Sequence, residues 1–217
     1  MDIDDHALIL HGYWRSGTSF RTRIALNAKG VAYRQVGHDL RIGQQRGADY
    51  RAINPQGLVP ALEVDGHVLT QSGAIIEWLD ERYPDPPLLP QGMIDRATVR
   101  AMAMVVACDI HPINNLRVLD RLRDDLNATK DVVKGWIAHW IGEGFATLET
   151  MIARHGGRYC FGDRLTVADC HIVPQYYAAE RFAVDLSPYP RLCETVLRVR
   201  QEPAVAAAHP DRQPDAD

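Results

Sequence analysis

The sequence of 217 residues has no long apolar run, no cluster of basic residues and no closely spaced pair of cysteines. A membrane-spanning helix needs about 18 or more consecutive apolar residues, so none is predicted and no membrane partner is expected. The net charge of −4 and the lack of a basic patch argue against a nucleic-acid partner. With 46% hydrophobic and 24% charged residues, the composition is that of a soluble globular protein.

The four cysteines are scattered, without Cys-x-x-Cys or any other metal-ligand spacing: Cys108, Cys160, Cys170 and Cys193. We therefore expect no metal site. We predict a cytoplasmic location, where such cysteines pack as small buried hydrophobic side chains more often than they react. The acidic segment Met1–His6 resembles neither a secretory nor a mitochondrial presequence, and we expect it to be a short frayed extension.

The stretch from Leu8 to Lys29 contains the clearest local pattern. Leu8–Leu10 is an apolar run with the length of a buried strand, and Phe20–Lys29, followed by Gly30, is typical of a helix. The turn between them is rich in hydroxyl groups, from Ser16 to Ser19. Such a turn at a helix N-terminus can bind an anion, for example a thiolate. The alternative is an ordinary strand, turn and helix in which these hydroxyls only cap the helix.

The next segments complete a small α/β domain. Residues 32–36 alternate like a strand, a short helix ends near Ile53, and residues 58–64 and 67–70 predict a hairpin with an Asp65-Gly66 turn. A further helix is predicted from Ala74 to Arg82. The order β-α-β-α-β-β-α is typical of a thioredoxin-like domain. Thioredoxins carry two cysteines at the turn that here reads SGTS (16–19), so a dithiol redox role is not expected.

The remainder of the chain is predicted to be entirely helical. A proline-rich stretch, residues 84–91, indicates a linker. We therefore predict a thioredoxin-like domain at 1–84, a linker at 85–92 and an all-α domain at 93–217. The helices are expected at 94–110, 113–126, 131–155, 166–179 and 191–201, and the polar residues 209–217 are expected to be a disordered tail. Thr166–Asp169 has the form of a capping box.

A polar interruption, DIHPINNLR (109–117), stands within the helical half. Pro112 must break the helical ladder there. If helical geometry resumes, His111 and Asn115 lie one turn apart on the same face. A helix break with internally satisfied side chains is the alternative to a substrate site.

The segment SGTSFRTRIAL (16–26) resembles the N-terminal signature of zeta-class glutathione transferases, which include maleylacetoacetate isomerases and bacterial maleylpyruvate isomerases. Zeta enzymes commonly have Ser-Ser-Cys where this chain has Ser16-Gly17-Thr18. The segments Val59-Pro60, Gln71-Ser72 and HPINN (111–115) also resemble family motifs, as does the stretch from Glu180 to Pro190. The resemblance covers about Leu8 to Pro190.

The resemblance implies the glutathione transferase fold, a homodimer, and glutathione as cofactor. Glutathione would bring the sulfur that the turn at 16–19 lacks. The implied glutathione-binding residues are Ser16, Gly17, Thr18, Val59, Pro60, Gln71, Ser72 and His111. In the family the proline at position 60 is cis, and the segment at 111–115 faces the glutathione sulfur. Apolar residues of the long helix, such as Met102, Val105 and Val106, would fit the dimer interface.

The resemblance also implies catalytic roles, which we expect for Ser16, Thr18, Arg15, His111, Asn115 and Arg181. Ser16 is the expected thiolate donor, although Thr18 is an alternative. Maleyl keto acids are small dianions, so Arg15 and Arg181 would supply bidentate guanidinium groups for their carboxylates. Arg117 is the weakest of the arginine candidates, because some maleylpyruvate isomerases carry paired arginines where this chain has Leu116-Arg117.

The implied function is glutathione-dependent cis–trans isomerisation of a maleyl keto acid, maleylpyruvate or maleylacetoacetate, in aromatic catabolism. One alternative is a glutathione transferase that conjugates or dehalogenates small electrophiles at the same site. Another is a non-catalytic glutathione-binding module, against which the presence of both the Ser16 turn and the 111–115 segment argues.

Overall fold

The computed structural model describes residues 8–217, so the expectation for the acidic segment Met1–His6 lies outside the described residues. The chain forms two compact units. The first contains the chain up to Pro87 together with Glu202–Asp217, and the second is Leu88–Gln201.

The first unit is built on a four-stranded sheet. Its strands are β1 (Leu8–Gly12), β2 (Tyr33–Gly37), β3 (Ala61–Val64) and β4 (His67–Thr70), and its first helices are α1 (Gly17–Ala28), α2 (Ala48–Ile53) and α3 (Ser72–Arg82). The strand order is β2-β1-β3-β4, with β1 and β2 parallel and the other two pairs antiparallel. The predicted thioredoxin-like domain is therefore confirmed.

The registers explain where the apolar residues lie. Leu10 pairs with Leu62, and both are fully buried, as are Leu26 of α1 and Ile76 of α3. Asp65 and Gly66 both have positive φ, at 48° and 75°, which is the backbone that a two-residue hairpin turn requires. The predicted Asp-Gly hairpin is thus present. β3 begins later than expected, at Ala61, because Pro60 has no N–H to donate to a ladder.

The C-terminal segment belongs to the first unit, which differs from its expected place in the helical domain. Helix α9 (Pro203–Ala208) packs along α1, and the Asn27 side chain donates to the Ala204 carbonyl at 3.0 Å. A 3₁₀ turn follows at Pro210–Arg212, and Asp215 accepts a hydrogen bond from the backbone N–H of Trp14. The expectation of a disordered tail at 209–217 is therefore wrong.

The second unit is helical, as predicted. Its helices are α4 (Met93–Met104), α5 (Leu116–Asp124), α6 (Lys130–His155), α7 (Val167–Arg181) and α8 (Pro190–Val199). Helix α4 continues into a π-helical turn at Val105–Ile110, and a 3₁₀ turn at Pro112–Asn114 follows. The π turn closes with the His111 N–H donating to the Val106 carbonyl at 2.9 Å.

The core of the second unit includes residues that were expected elsewhere. Leu88 and Leu89, within the predicted linker, are buried, and the Leu88 carbonyl accepts from the Val167 N–H at 2.9 Å. Met102 and Val106, offered as dimer-interface residues, are both 0% exposed inside the unit. They therefore give no support to an interface.

The capping box at Thr166–Asp169 is formed. The Asp169 carboxylate is fully buried and accepts from the N–H groups of Cys160 and Thr166 and from the Thr166 hydroxyl. Burial raises the pKa of the Asp169 carboxyl above its ordinary value, although these hydrogen bonds oppose the rise.

The cysteines divide into two groups. Cys160 and Cys170 are buried, as expected, and burial raises the pKa of the Cys160 thiol well above its ordinary value. Cys108 is exposed on the π turn and Cys193 is half-buried, so the expectation of four buried cysteines is wrong for these two.

Within residues 8–217, no helix is long and apolar enough to cross a bilayer.

Candidate active site

The N-terminus of α1 is organised by Ser16. Ser16 has extended backbone angles, and its Oγ accepts a hydrogen bond from the Ser19 N–H at 3.3 Å, which makes it the N-cap. The helix therefore begins at Gly17, three residues earlier than the apolar pattern predicts, because the cap rather than the first apolar residue sets the start. The N–H groups of Gly17 and Thr18 lie in the first turn, where no intrahelical acceptor exists.

A chain of hydroxyl groups joins this turn to the loop before β3. The Oγ atoms of Ser16 and Thr18 are 2.9 Å apart, and Thr18 Oγ1 donates to the Val59 carbonyl at 2.9 Å. A threonine hydroxyl has one proton. Because that proton is directed at Val59, Ser16 must be the donor in the hydroxyl pair. Its proton rests on Thr18 and can be redirected to an arriving anion.

The electrostatics of the turn favour a negative charge. Helix N-termini carry a partial positive charge from the unpaired N–H groups, and the first turn of α1 contains no acidic residue. Ser16, Gly17 and Thr18 are half-buried, so a bound anion there would be only partly screened by water.

Two side chains that the sequence interpretation missed hold the loop that carries Val59 and Pro60, through hydrogen bonds to the preceding residue, Leu58. The Tyr50 hydroxyl and the Asn54 amide each donate to the Leu58 carbonyl at 2.6 Å. Both residues are buried, and burial raises the pKa of Tyr50 to about 12. The Val59–Pro60 peptide bond is cis, as the resemblance implies. No sequence signal marked Tyr50 or Asn54, because their burial is visible only in the structure.

Gln71 and Ser72 stand at the N-terminus of α3. Gln71 has φ 68° and ψ 112°, a backbone conformation that costs a non-glycine residue on the order of 1–3 kcal/mol. Its amide donates to the Gln56 side chain at 2.7 Å. Ser72 is 6% exposed and begins the helix. The helix thus starts two residues before the predicted Ala74, with the strained residue as its cap.

Arg15 is half-buried, and its guanidinium lies over the Trp14 ring, 5.1 Å from the centroid. It also lowers the pKa of Asp39, although hydrogen bonds from Arg41 are the largest cause of that shift. Arg15 therefore carries its charge beside the Ser16 turn, within the first unit.

His111 and Asn115 belong to the second unit, and the geometry between them is not the one expected. His111 closes the π turn, Pro112–Asn114 form a 3₁₀ turn, and Asn115 is extended, with ψ 150°. The two residues are therefore not neighbours on one helix face. Asn115 is instead the N-cap of α5, its Oδ1 accepting from the Arg117 N–H at 3.3 Å. Its side-chain amide group takes no part in that cap.

The two remaining arginine candidates are exposed. Arg181 is the last residue of α7, and its guanidinium lies over the Phe182 ring at 4.7 Å. Arg117 is on the first turn of α5. A cation there opposes the helix dipole, which favours anions at that end.

Two family models match the chain. Residues 10–87 match the glutathione S-transferase N-terminal domain and residues 122–208 match the glutathione S-transferase C-terminal domain. The first match covers the Ser16 turn and all of the sheet except the first two residues of β1. The second begins within α5.

Individual relatives cover nearly the whole chain. A maleylpyruvate isomerase of Ralstonia sp. is 47% identical over 95% of this chain and 99% of its own length. A maleylacetoacetate isomerase of Pseudomonas aeruginosa is also 47% identical, over 95% of this chain and 97% of its own. Overall identity therefore does not distinguish the two activities.

One solved structure adds ligands to the comparison. It is a maleylacetoacetate isomerase from Methylobacterium extorquens AM1 with bound malonate and glutathione, 40% identical to this chain. It covers 96% of this chain, the chain covers 99% of it, and the TM-score is 0.92.

Proposed function

The chain belongs to the glutathione S-transferase family, and we propose that it is a glutathione-dependent cis–trans isomerase of a maleyl keto acid. The substrate would be maleylpyruvate or maleylacetoacetate, and the product its fumaryl isomer. The observation that carries this proposal is a redirectable hydroxyl proton on Ser16 at the N-terminus of α1, in a turn without sulfur of its own. The names of relatives 47% identical to the chain support the same activity.

The residues of the first unit fit glutathione. The Ser16 hydroxyl and the N-terminus of α1 suit its thiol, the Val59 backbone suits its cysteinyl unit, and Ser72 at the N-terminus of α3 suits a carboxylate. Gln71 lies beside Ser72, as in the family motif. When bound, glutathione supplies a thiolate whose reversible addition to the maleyl double bond leaves a single bond that can rotate.

The protein must hold the thiol in its ionised form. Lowering a thiol pKa from about 8.5 to about 6.5 requires roughly 2.7 kcal/mol of differential stabilisation. A hydrogen bond to a charged group contributes about 1.5–3 kcal/mol, and a helix N-terminus about 0.3–1 kcal/mol. Together, the Ser16 hydroxyl and the first turn of α1 can therefore supply the stabilisation that ionises the thiol. No cationic side chain is needed in addition.

The chain's own cations would bind the substrate. We assign Arg15 and Arg181 to the two carboxylates of the dianion, since a protein of net charge −4 must supply local positive charge. The malonate bound to the Methylobacterium extorquens enzyme is likewise a small dicarboxylate. His111 and the free amide group of Asn115 are proposed as further active-site residues of the second unit.

Assembly and location complete the proposal. The four cysteines are all free thiols, which suits the reducing cytoplasm.

The candidate interface residues of the proposed homodimer are now the exposed apolar residues Met93 and Ile94, at 85% and 79% exposure. They replace the buried Met102 and Val106. Light scattering at micromolar concentration should report a dimer, and a double Met93→Lys, Ile94→Lys variant should weaken it.

The activity is tested by supplying the purified protein with glutathione and each maleyl keto acid in turn. Formation of the fumaryl isomer from one of them is expected, and comparison of kcat/KM identifies the preferred substrate. If neither acid is isomerised while an aryl halide is conjugated, the protein is a transferase and the proposal is wrong.

A further inference from the structure

Two charged side chains hold the backbone of Trp14: Arg23, nine residues further on in α1, and Asp215, near the other end of the described chain. Its N–H donates to Asp215 Oδ2 at 2.9 Å, and its carbonyl accepts from Arg23 Nη2 at 2.9 Å. Trp14 immediately precedes Arg15 and Ser16. The backbone N–H and carbonyl of Trp14, two residues before the proposed thiolate donor, are therefore both fixed by side chains.

Asp215 is itself held firmly, although it lies two residues before the last described residue, Asp217. Its Oδ1 accepts from the Gln35 amide of β2 at 2.8 Å. Its carboxylate also lies against the bare backbone of Gly37, where an added Cβ would come within 2.9 Å of Oδ2. The carboxylate thus bridges β2 and the β1–α1 turn.

Arg23 connects the same turn to helix α9. Its side chain is 0% exposed, and besides the bond to Trp14 its Nε donates to the Ala208 carbonyl at 3.0 Å. The C-terminal segment therefore reaches the turn at two points, directly through Asp215 and indirectly through Arg23.

Hydrogen bonds within the turn couple the position of Trp14 to that of Ser16. The Ser16 N–H donates to the Tyr13 carbonyl at 3.0 Å, and the Tyr13 N–H donates to Ser19 Oγ at 3.3 Å. A shift of Trp14 would therefore move the N-cap as part of one hydrogen-bonded turn.

We propose that Asp215 is a positioning residue that sets the place of the Ser16 hydroxyl relative to the bound thiol. The inference rests on the proposed function only in taking Ser16 as the thiolate donor. Asp215 does not touch the reacting atoms. It acts by fixing Trp14, and through it the turn from which the Ser16 hydroxyl projects.

The charge of Asp215 and its geometry predict opposite effects, which makes the proposal testable. A carboxylate near a thiolate disfavours the thiolate, so loss of its charge alone should lower the thiol pKa. Loss of positioning should raise that pKa, because Ser16 would no longer be aligned. Asp215→Asn removes the charge but keeps an oxygen for the Trp14 N–H. The side-chain amide that Asp215→Asn introduces can donate to Gln35 Oε1 if the Gln35 amide group rotates by about 180°. This rotation breaks no other hydrogen bond of Gln35 Oε1, because that buried oxygen has no partner among the described residues.

The experiment compares Asp215→Ala, Asp215→Asn and the control Asp217→Ala. Asp217 is two residues further on, and among residues 8–217 its ion-pair partner is the exposed Arg41, at 2.5 Å. The pKa of bound glutathione, measured by thiolate absorbance, is expected to rise in Asp215→Ala and to shift far less in the other two. With a maleyl keto acid, kcat should fall about tenfold in Asp215→Ala alone, while KM for glutathione stays within about twofold.

A second readout needs neither glutathione nor substrate. Amide hydrogen exchange of a peptide covering Trp14 to Ser19 should be about tenfold faster in Asp215→Ala than in the unmodified protein, Asp215→Asn or Asp217→Ala. If the unmodified protein fails to bind glutathione, the proposed function falls, while the exchange rates still decide whether Asp215 positions the turn.

Two results would overturn the inference. One is a thiol pKa and a peptide exchange rate that stay unchanged in Asp215→Ala, even if that variant melts at a lower temperature, since Asp215 would then only stabilise the fold. The other is a thiol pKa that falls in both Asp215→Ala and Asp215→Asn, which would assign the effect to the charge of Asp215.

Discussion

Thr18 Oγ1 donates its only proton to the Val59 carbonyl at 2.9 Å, and so ties the start of α1 to the loop that precedes β3. This bond distinguishes Ser16, the thiolate donor expected from the sequence, from Thr18, the alternative. Thr18 joins two segments of the proposed glutathione site, whereas the Ser16 proton is free to turn towards a ligand.

Ser16→Ala is expected to raise the pKa of bound glutathione by about one to two units, because the lost hydrogen bond to the thiolate is worth about 1.5–3 kcal/mol. The affinity for glutathione should change little at a pH where the thiol is neutral. The measurement is a pH titration of thiolate absorbance. An unshifted titration would transfer the role to Thr18 or to the backbone N–H groups.

Thr18→Val should affect the affinity for glutathione more than the thiol pKa. It preserves the shape of the side chain but removes the bond to Val59, so the affinity for glutathione should fall about fivefold to tenfold. The thiol pKa should move less than in Ser16→Ala. Calorimetric titration with glutathione measures the affinity. A thiol pKa rise equal to that of Ser16→Ala, with affinity unchanged, would mean that the two roles are reversed.

Arg15→Met and Arg181→Met test the carboxylate assignment. Loss of one charged hydrogen bond to the dianion should reduce kcat/KM for the maleyl keto acid about 10- to 100-fold. Conjugation of a neutral aryl halide and glutathione affinity should be little changed. Arg121→Met is the control, since Arg121 is exposed on α5 and, within the part of the chain that the structure describes, forms its ion pair with Asp125. Equal losses with acid and aryl halide would assign the arginines to glutathione or to the fold.

Asp169→Ala should destabilise the second unit by roughly 3 kcal/mol or more, because three buried donors lose their acceptor. Asp131→Ala, at an exposed position in the first turn of α6, should change stability by less than about 1 kcal/mol. Urea denaturation of the two variants compares them. Similar midpoints would show that the capping box contributes little.

His38 should make stability depend on pH. Burial is the main cause that lowers its pKa from the ordinary 6.5, the neighbouring His11 lowers it further, and Asp215 partly opposes both. The folded state therefore favours the neutral ring. Its stabilising contribution is complete above about pH 6.5 and is lost as the pH falls through the lowered folded-state pKa.

The check is urea denaturation of the unmodified protein and of His38→Gln at about pH 5 and about pH 8. The loss of stability on acidification should be smaller in His38→Gln than in the unmodified protein. The exposed His67, changed to Gln, serves as control and should reproduce the unmodified slope. Identical slopes in all three proteins would exclude a contribution from His38.

Local patterns predicted most of the elements, because their signals lie within a few residues. The Asp65-Gly66 turn and the helix at 131–155, observed at Lys130–His155, are examples. The ordered C-terminal segment could not be predicted in this way. Its polar, proline-containing sequence is typical of a tail, and its order depends on partners about two hundred residues away, such as Trp14 for Asp215.

The candidate site also contains features that the sequence predicted and features that it did not. Ser16 and the cis Val59–Pro60 bond follow from motifs, and the structure places the Ser16 turn and this loop together. The relation between His111 and Asn115 was mispredicted, because a proline was expected to kink a helix that instead unwinds through a π turn and a 3₁₀ turn. Tyr50 and Asn54 had no motif to mark them.

Turnover under limiting glutathione tests whether glutathione acts as a recycled cofactor. The purified protein would be mixed with a maleyl keto acid and with glutathione at a small fraction of the substrate concentration. Complete conversion to the fumaryl isomer is expected, with total free thiol unchanged at the end. Conversion that stops when one product has formed per glutathione, with the thiol consumed, would exclude a recycled cofactor.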